Sequence, residues 1–414
     1  MTDLKVTAEI SPVTARRRTT ARPRSCVIIV ENLAVPFDRR VWQEALALKQ
    51  AGWAVSVICP VSERHPQHFE KLNDINIYRH PLPLEARGKF AFVFEYGAAL
   101  FHEFRLLFKV WRRHGFSVIQ ACNPPDLIFL VVLPFKLLGK RFVFDHHDVC
   151  PELYFAKFNR KDLMFRLLSV FEKLTFKMAD AVISANDTFR DIAIRRGGKR
   201  PSDVTTVYSI PDSNRIKRVS DYRVQNGTLV LGYLGIIGDQ DGVDHLVAAV
   251  NHLVKDHGVT NFRAVVVGDG PALGSVKAMT KELQLESFIT FTGYLSGDDL
   301  LKAISSFTIG IIPDPINEYN DKISMNKVFE YSALGIPSVA YPLTETKRLL
   351  GPAGTYSTTA DPAGLAEASL RLMEDPGLRQ RCAAAAADLS AQSFNWETEA
   401  TKLKSVYNGL LEHA

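Results

Sequence analysis

The sequence alternates, almost from end to end, between short apolar runs and longer segments in which apolar residues recur at helical spacing. This alternation predicts parallel strands joined by helices, because parallel strands need a long crossover connection and a helix supplies it. Such units build an α/β sheet with helices on both faces. In the first half of the chain, strands are predicted at residues 26–30, 54–59, 75–79, 117–121, 141–145, 181–185 and 205–208.

A polar stretch, residues 211–227, interrupts the alternation and carries no strand or helix period. After it, strands are predicted at residues 229–233, 263–267, 288–292, 308–312 and 338–340. We therefore expect two doubly wound, Rossmann-like domains, over residues 25–210 and 228–393, with 211–227 as the linker between them. Ligands bind outside the carboxyl ends of the strands in such sheets, so facing domains predict a site in the cleft between them.

The composition excludes several other classes of protein. With 46% apolar and 23% charged residues among 414, the chain is not collagen-like, disordered or a multi-span membrane protein. Its five cysteines have no metal-finger spacing, which argues against a disulfide scaffold or structural zinc and favours the cytoplasm. The longest apolar run, residues 127–135, is too short to cross a bilayer. Residues 1–24 hold five arginines and no apolar core, which predicts a disordered basic tail.

The charges are distributed unevenly, since residues 1–212 hold 32 basic and 22 acidic side chains whereas residues 213–414 hold 18 and 23. In the basic half, residues 100–113 predict a helix with two stripes. The apolar stripe comprises Leu100, Phe104, Leu107, Phe108 and Trp111, and the basic stripe comprises Arg105, Lys109, Arg112 and Arg113. Either the apolar stripe packs in the core, or the helix contacts an anionic membrane surface. No nucleic-acid-binding motif is present, so nucleic acid is not an expected partner.

Residues 324–340, SMNKVFEYSALGIPSVA, predict a short helix ahead of the last predicted strand. Ser324 is the expected N-cap, and Gly335 with Pro337 ends the helix. In this topology the start of the helix points toward the cleft. Its unpaired N–H groups and partial positive charge there favour an anion.

Four side chains at and near the start of this helix are candidate ligand-binding groups, namely Ser324, Asn326, Lys327 and Glu330. Lys327 adds a full positive charge in the first turn, which predicts a phosphate site. Glu330 lies one turn further on, and an ionised carboxylate there can accept two hydrogen bonds from a ribose diol. The alternative is a solvated Lys327–Glu330 pair.

Two glycine-rich turns follow strands of the second half, and glycine lets a backbone approach an anion closely. The predicted phosphate-binding positions are Gly235, Ile236, Gly238, Gly268, Asp269 and Gly270. Two carboxylates, Asp239 and Asp241, follow the first turn and would repel a diphosphate. Its charge must then be neutralised by Lys327, by helix dipoles and by an arginine from across the cleft. A plain turn is the alternative for the first loop.

Residues 35–40, VPFDRR, lie between the first predicted strand and the first helix, so they face the cleft. Asp38 is the expected N-cap, and Arg39 and Arg40 project from the first turn. An arginine at a helix start opposes the helix dipole, which is easier to understand if an anionic ligand lies nearby. We expect one of the two arginines to serve the site and the other to be a surface charge.

Another predicted strand ends in DHHD at residues 145–148. Side chains alternate along a strand, so Asp145 and His147 share one face and His146 and Asp148 the other, which disfavours a single metal cage. We expect His147 and Asp148 at the cleft, with a core or capping histidine as the alternative for His147. Asn123 ends a further strand and, with the two prolines after it, either shapes an acceptor pocket or forms a stiff loop.

Residues 327–340 fit the pattern K-x-x-E-Y-x-A-x-G-x-P-x-V-A and resemble the donor-binding helix of the GT-B glycosyltransferases of family 4. Residues 35–52 resemble the first loop and helix of that family, and residues 268–271 resemble a turn of its second domain. Residues 394–411 resemble its terminal helix, which returns to the first domain, so 394–414 is assigned to that helix. The resemblance extends over nearly the whole chain from Cys26 onward.

The resemblance implies a role for several of these residues. Glu330 would hold the ribose of the donor, Lys327 its diphosphate, and His147 the donor sugar. The family usually has a glutamate eight residues before Glu330, and in this chain that position is Lys322, with Asp321 beside it. The carboxylate that usually contacts the donor sugar is therefore either absent, with the Lys322 amine in its place, or displaced to a neighbouring position.

The resemblance also implies the reaction, a retaining transfer of a sugar from a nucleoside diphosphate donor to an acceptor hydroxyl. A UDP-sugar is the expected donor, and no metal or other cofactor is expected. The expected acceptor is a glycan or lipid-linked precursor of envelope or exopolysaccharide synthesis, with the enzyme in the cytoplasm or peripheral on the inner face of the plasma membrane. The alternatives are a nucleotide-sugar 2-epimerase and a catalytically inactive nucleotide-sugar-binding module.

Overall fold

The computed structural model describes residues 24–81, 91–211, 216–219 and 227–412, with backbone alone at 91–96 and 412. The predicted basic tail, apart from Arg24, lies outside the described residues. So do residues 212–215 and 220–226 of the predicted linker.

The first part of the chain forms an eight-stranded sheet in the order β3-β4-β2-β1-β5-β6-β7-β8. The strands are β1 (Ser25–Ile29), β2 (Ala54–Pro60), β3 (Phe69–Leu72), β4 (Ile75–His80), β5 (Val118–Cys122), β6 (Arg141–His146), β7 (Ala181–Ser184) and β8 (Val204–Thr206). All neighbours pair in parallel except β3 with β4. Strand β3 is not among the predicted strands, because its half-exposed edge sequence FEKL lacks an apolar run.

Helices cover both faces of this sheet. They are α1 (Arg39–Gln50), α2 (Ala91–His114), α3 (Phe129–Leu137), α4 (Cys150–Phe158), α5 (Leu163–Met178) and α6 (Asp187–Arg195). Helices α2, α3 and α5 bury residues in one apolar cluster with the sheet, and α1 belongs to the cluster on the opposite face. The buried strands β1 and β5 read as nearly continuous apolar runs, as expected for a parallel sheet covered on both sides.

The second part of the chain forms a six-stranded, fully parallel sheet in the order β11-β10-β9-β12-β13-β14. Its strands are β9 (Leu229–Leu234), β10 (Phe262–Val267), β11 (Ile289–Gly293), β12 (Ile309–Ile312), β13 (Ser338–Ala340) and β14 (Gly354–Tyr356). Its helices are α7 (Val243–Lys255), α8 (Leu273–Glu282), α9 (Gly297–Ser305), α10 (Asn326–Ala333), α11 (Thr344–Leu350), α12 (Pro362–Glu374) and α13 (Pro376–Gln392), followed by α14 (Trp396–Glu412). Two such sheets confirm the predicted α/β fold class.

The two predicted stripes of residues 100–113 lie at different depths on α2, and the four residues of the basic stripe are all exposed. Leu107 is buried against the sheet, whereas Phe104 and Phe108 are 38% and 43% exposed. The predicted apolar stripe therefore lies along the boundary of the buried side of α2: Leu106, Leu107 and Val110 pack in the core, whereas the two phenylalanines are partly outside it. No helix in the described ranges is both long enough and apolar enough to span a bilayer.

Helix α14 packs on the first sheet, although it follows the second sheet in the chain. Tyr407 is fully buried, its ring meets the Trp53 ring edge-on at 5.0 Å between centroids, and its hydroxyl donates to Oε1 of Gln120 over 2.6 Å. Ala400 and Leu403 of the same helix belong to the apolar cluster that contains α1. The last helix therefore ties the two parts of the chain together.

Replacing Tyr407 by phenylalanine removes the hydroxyl and leaves the Gln120 oxygen buried without a donor. A loss of this kind costs about 1–3 kcal/mol of unfolding free energy, so we expect Tyr407→Phe to lower the midpoint of denaturant unfolding. Asn408→Ala, on the exposed side of the same helix, is the matched control and should unfold like the wild type. Equal midpoints for Tyr407→Phe and the wild type would show that the hydroxyl does not anchor α14.

Candidate functional site

Helix α10 begins just after the loop that follows β12. Its N-cap is Met325, whose backbone is extended, and no side chain caps the helix. The prediction that Ser324 is the N-cap is therefore wrong: Ser324 precedes the N-cap by one residue, and its buried hydroxyl has no hydrogen-bond partner. Asn326, the first residue of the helix, is exposed, so the start of α10 is open to a ligand.

Lys327 is buried at the start of α10. Its Nζ lies 2.9 and 2.7 Å from the two carboxylate oxygens of Asp314, and 5.0 Å from the centroid of the Tyr233 ring. Asp314 is 1% exposed, so the ammonium group is held in one place by a buried counter-charge. Asp314 is not among the predicted site residues. The signal available in the sequence is an acid between two prolines just after a buried strand.

Glu330 lies one turn further along α10 and meets the first domain. Its Oε1 accepts a hydrogen bond of 2.7 Å from Nη1 of Arg39. The Arg39 side chain is 60% exposed, whereas that of Glu330 is 8% exposed. Burial raises the pKa of Glu330, and the Arg39 guanidinium opposes that shift. The alternative of a solvated Lys327–Glu330 pair is wrong, because both side chains are buried and each has a different partner.

The two glycine-rich turns pack against each other. A Cβ on Gly268, whose φ is +144°, would lie 1.8 Å from the carbonyl oxygen of Gly235, and a Cβ on Gly270 would lie 2.5 Å from that of Ile237. Only glycine fits at these two contacts. The N–H of Ile237 also donates to the Asp269 carbonyl over 3.0 Å. The close contact explains the glycines at 268 and 270 without a ligand.

Asp241 takes part in the first of these turns. Its Oδ2 accepts a hydrogen bond of 2.9 Å from the N–H of Gly238, so a side chain already satisfies that donor. Burial raises the pKa of Asp241 to about 6, although nearby Lys327 opposes the shift. Near neutral pH the turn therefore carries a negative charge close to the start of α10, with Ile236 exposed at its tip.

Arg40 does not project into the cleft, and the predictions that it serves the site or is a surface charge are both wrong. Its guanidinium is 7% exposed and binds both carboxylate oxygens of Asp145 at 2.7 and 3.2 Å. It also donates to the Val207 carbonyl and the Ser209 hydroxyl. The side chain turns inward because a buried carboxylate at the end of β6 offers it a bidentate partner. Asp38 is the N-cap of α1, as predicted, and accepts from the N–H of Val41.

Asn123 is fully buried and holds the loop after β6. Its Oδ1 accepts from the N–H groups of His147 and Asp148 at 2.9 and 3.1 Å, and its Nδ2 donates to the Asp148 carbonyl and to Asp126. Asn123 therefore does not line the cleft with its own side chain, contrary to the prediction, because both side-chain polar atoms bind the protein; these contacts fit the alternative of a stiff loop. Asn123 is a positioning residue for the His147 loop.

His147 and Asp148 lie at the end of β6, where the first domain meets the second. The His147 side chain is 14% exposed, and its Nδ1 lies 3.9 Å from Oδ2 of Asp145. Burial raises the pKa of Asp148, and this rise is opposed by the neighbouring His147 and by the hydroxyl of Tyr319, a residue of the loop between β12 and α10. The Tyr319 contact is absent from the predicted site, since sequence alone does not reveal a pairing between distant loops.

Lys322 also bridges the two parts of the chain. Its Nζ donates to the Glu318 carbonyl over 2.7 Å and lies 3.7 Å from Oε1 of Glu152, in α4. Its own carbonyl accepts from the Asn186 amide over 2.8 Å. The amine at the position of the family's first glutamate is therefore directed toward a buried acid of the first domain. It stays a predicted contact of the donor sugar.

One group of side chains in the described residues has the proximity that a metal ion needs, namely Cys122, Asp145 and His147. Arg40 binds both oxygens of Asp145, which places a positive charge where a cation would have to bind. Burial also raises the pKa of the Cys122 thiol well above its usual value, whereas a metal needs the thiolate. These three side chains do not fit a metal centre.

The contacts between the domains bring three groups together at one edge of the cleft. They are the start of α10 with the buried Lys327, the buried Glu330 carboxylate and the exposed Arg39 side chain. Such a set can bind an anion at the helix start and a diol at the carboxylate.

Comparison with known proteins gives a consistent result for both domains. Residues 38–208 match the family model described as a glycosyl transferase 4-like domain, and residues 228–375 match the model of glycosyl transferases group 1. Alpha-D-kanosaminyltransferase of Streptomyces kanamyceticus is 25% identical over 248 residues, which cover 57% of this chain and 62% of that relative. The chain thus spans less than two thirds of the length of this relative.

Two solved structures share the fold over nearly the whole chain. Sucrose-phosphate synthase from Thermosynechococcus elongatus has a TM-score of 0.78 at 16% identity, covering 94% of this chain and 100% of that one. HepE from Anabaena, in complex with UDP and glucose, has a TM-score of 0.68 at 15% identity, covering 93% and 100%. With both sheets matched by models of one enzyme group, the chain belongs to the group 1, family 4 glycosyltransferases of the GT-B fold.

Proposed function

We propose that the protein is a retaining glycosyltransferase that moves a sugar from a UDP-sugar to a hydroxyl group of a glycan or lipid-linked acceptor. The observation that carries this proposal is the start of α10, where Lys327 and Glu330 lie buried at the edge of the cleft opposite Arg39. The structure of HepE with UDP and glucose supports the choice of nucleotide.

In this proposal Lys327 and the start of α10 bind the diphosphate. The ammonium group has three N–H donors, and Asp314 accepts at two oxygens, so one donor is left for a phosphate oxygen. Negative charge develops on the diphosphate as the glycosidic bond breaks. Donors that are already fixed in place stabilise that charge more in the transition state than in the ground state.

Glu330 and Arg39 are proposed to separate when the nucleotide binds. The ribose diol would replace the guanidinium on Glu330, because the carboxylate can accept two hydrogen bonds from the diol. Arg39 is more than half exposed, so its side chain is free to turn toward the diphosphate. It would supply the positive charge that the turn with Asp241 lacks. The donor sugar would then lie toward His147.

A catalytically inactive nucleotide-sugar-binding module is the second candidate. Two observations favour it: Lys322 is directed toward Glu152, and Asp241 occupies the N–H of Gly238. A donor site of the usual kind would have a glutamate at the position of Lys322. It would also have basic residues after the glycine turn, where this chain has Asp241.

Product analysis separates the candidates. We expect the purified protein, given UDP-glucose and a mixture of cell-envelope glycolipids, to release UDP and to glycosylate an acceptor. An isomerised nucleotide sugar formed without acceptor would instead indicate a 2-epimerase. Binding of UDP without any product from a panel of nucleotide sugars and acceptors would indicate the inactive module and contradict the proposal.

Removing the Glu330 carboxylate should slow the reaction with every accepted donor. The lost hydrogen bonds to the ribose position the whole nucleotide, so we expect Glu330→Ala to reduce turnover by roughly a hundredfold or more. Glu282→Ala, on the exposed side of α8, is the matched control and should react like the wild type. A near-wild-type rate for Glu330→Ala would exclude Glu330 from the donor site.

Donor affinity should depend on pH through Asp241. Its raised pKa of about 6 means that the carboxylate is charged at pH 8 and about half protonated at pH 6. We expect binding of UDP-glucose, whose phosphates do not titrate in this range, to strengthen severalfold as the pH falls between these values. Asp241→Asn should bind more tightly at the higher pH and respond less to pH. Identical calorimetric pH profiles for the two proteins would contradict this role.

A further inference from the structure

The exposed apolar side chains of the protein are concentrated on the outward sides of α2, α3 and α5. Of the 19 large apolar residues that are exposed among the described residues, 11 lie on these three helices, and three lie in the second domain. The most exposed on each helix are Phe101 at 64%, Leu137 at 81% and Leu163 at 72%. We call the outward sides of α2, α3 and α5 the three-helix face.

The three helices lie side by side on the same side of the first sheet. Phe104 and Trp111 of α2 meet the Phe135 ring of α3, with centroids 6.0 and 5.8 Å apart. Phe176 of α5 is buried in the same apolar cluster as Phe135. The exposed residues of the three helices therefore form one surface, which is larger than the scattered apolar residues normal for a soluble protein.

Packing inside the protein does not explain the outward residues. Helix α3, FLVVLPFKL, buries Val131, Val132 and Phe135 against the sheet, yet its opposite side carries leucines instead of polar residues. Helix α5 shows the same pattern. Leu163, Leu167, Val170 and Leu174 form one exposed stripe at helical spacing, whereas Phe176 fills the core.

Basic side chains surround these apolar residues. The exposed charged residues of the three helices over residues 97–178 are all basic, namely Arg105, Lys109, Arg112, Arg113, Arg166, Lys173 and Lys177. The two carboxylates on the same stretches of helix, Glu103 and Glu172, are fully buried. The Arg112 guanidinium lies 6.0 Å from the centroid of the Phe108 ring, so basic and apolar groups are interleaved.

We propose that the three-helix face docks on a lipid bilayer whose surface is anionic. Apolar side chains at the tips of a helical surface can enter the headgroup region, while the adjacent lysines and arginines bind the anionic headgroups. A second copy of this chain is a poorer occupant, because each face carries seven exposed basic groups and, among the described residues, only one exposed carboxylate at its edge, the α5 N-cap Asp162, so two faces would repel each other. The proposal goes beyond sugar transfer and does not depend on which donor the cleft binds.

Flotation of the full chain with lipid vesicles tests the proposal. We expect the wild type to float with vesicles of phosphatidylcholine and phosphatidylglycerol, to float less with phosphatidylcholine alone, and to be released by added salt. Two double variants test the face: Leu137→Glu/Leu163→Glu replaces two apolar side chains with carboxylates, and Arg112→Glu/Arg113→Glu reverses two basic charges. Each should reduce the bound fraction by roughly tenfold or more.

Matched controls lie outside the face. Phe69→Glu replaces an exposed apolar residue on β3, and Lys277→Glu/Lys281→Glu reverses two exposed lysines on α8, so both should float like the wild type. An unchanged circular dichroism spectrum and melting temperature show that each variant is folded, and this check does not depend on the donor site. Absence of wild-type flotation would overturn the proposal. So would a wild-type dimer that the Leu137→Glu/Leu163→Glu variant converts to monomers, since the face would then be a protein interface.

Discussion

Parallel pairing of strands is the constraint on which the rest of the structure depends. Because all strands of the second sheet and all but β3 of the first run in one direction, each sheet gathers its carboxyl ends at a single edge. The loops at these two edges contact each other through Arg39 with Glu330 and through Asp148 with Tyr319. Polar residues that are remote in the chain therefore meet in one cleft.

At the cleft and beneath it, three buried charges each have a counter-charge. Lys327 binds Asp314, Arg40 binds Asp145, and the Glu152 carboxylate accepts from Arg196. Removing one partner of such a pair leaves a buried charge, which destabilises more than the pair itself stabilises. The exposed Arg39 is the exception, since it can leave its partner for solvent or for a ligand.

The sequence was sufficient for the fold class and for the position of α10, because both follow from local periodicity and from glycine and proline at the ends of elements. It was not sufficient for side-chain partners. The inward turn of Arg40 depends on Asp145, 105 residues away, and the role of Asn123 depends on the loop after β6. The predicted N-cap, Ser324, precedes the actual N-cap, Met325, by one residue. An error of one residue is usual when a helix boundary is predicted from sequence.

The contact between Arg39 and Glu330 has a consequence for the timing of a catalytic cycle. If the ribose and the guanidinium compete for one carboxylate, the protein carries its own competitive ligand. That competitor lowers the affinity for the incoming donor, but it lowers the affinity for the spent nucleotide equally and so shortens the time for which the spent nucleotide stays bound. If release of the nucleotide limits turnover, such an internal competitor increases the turnover rate.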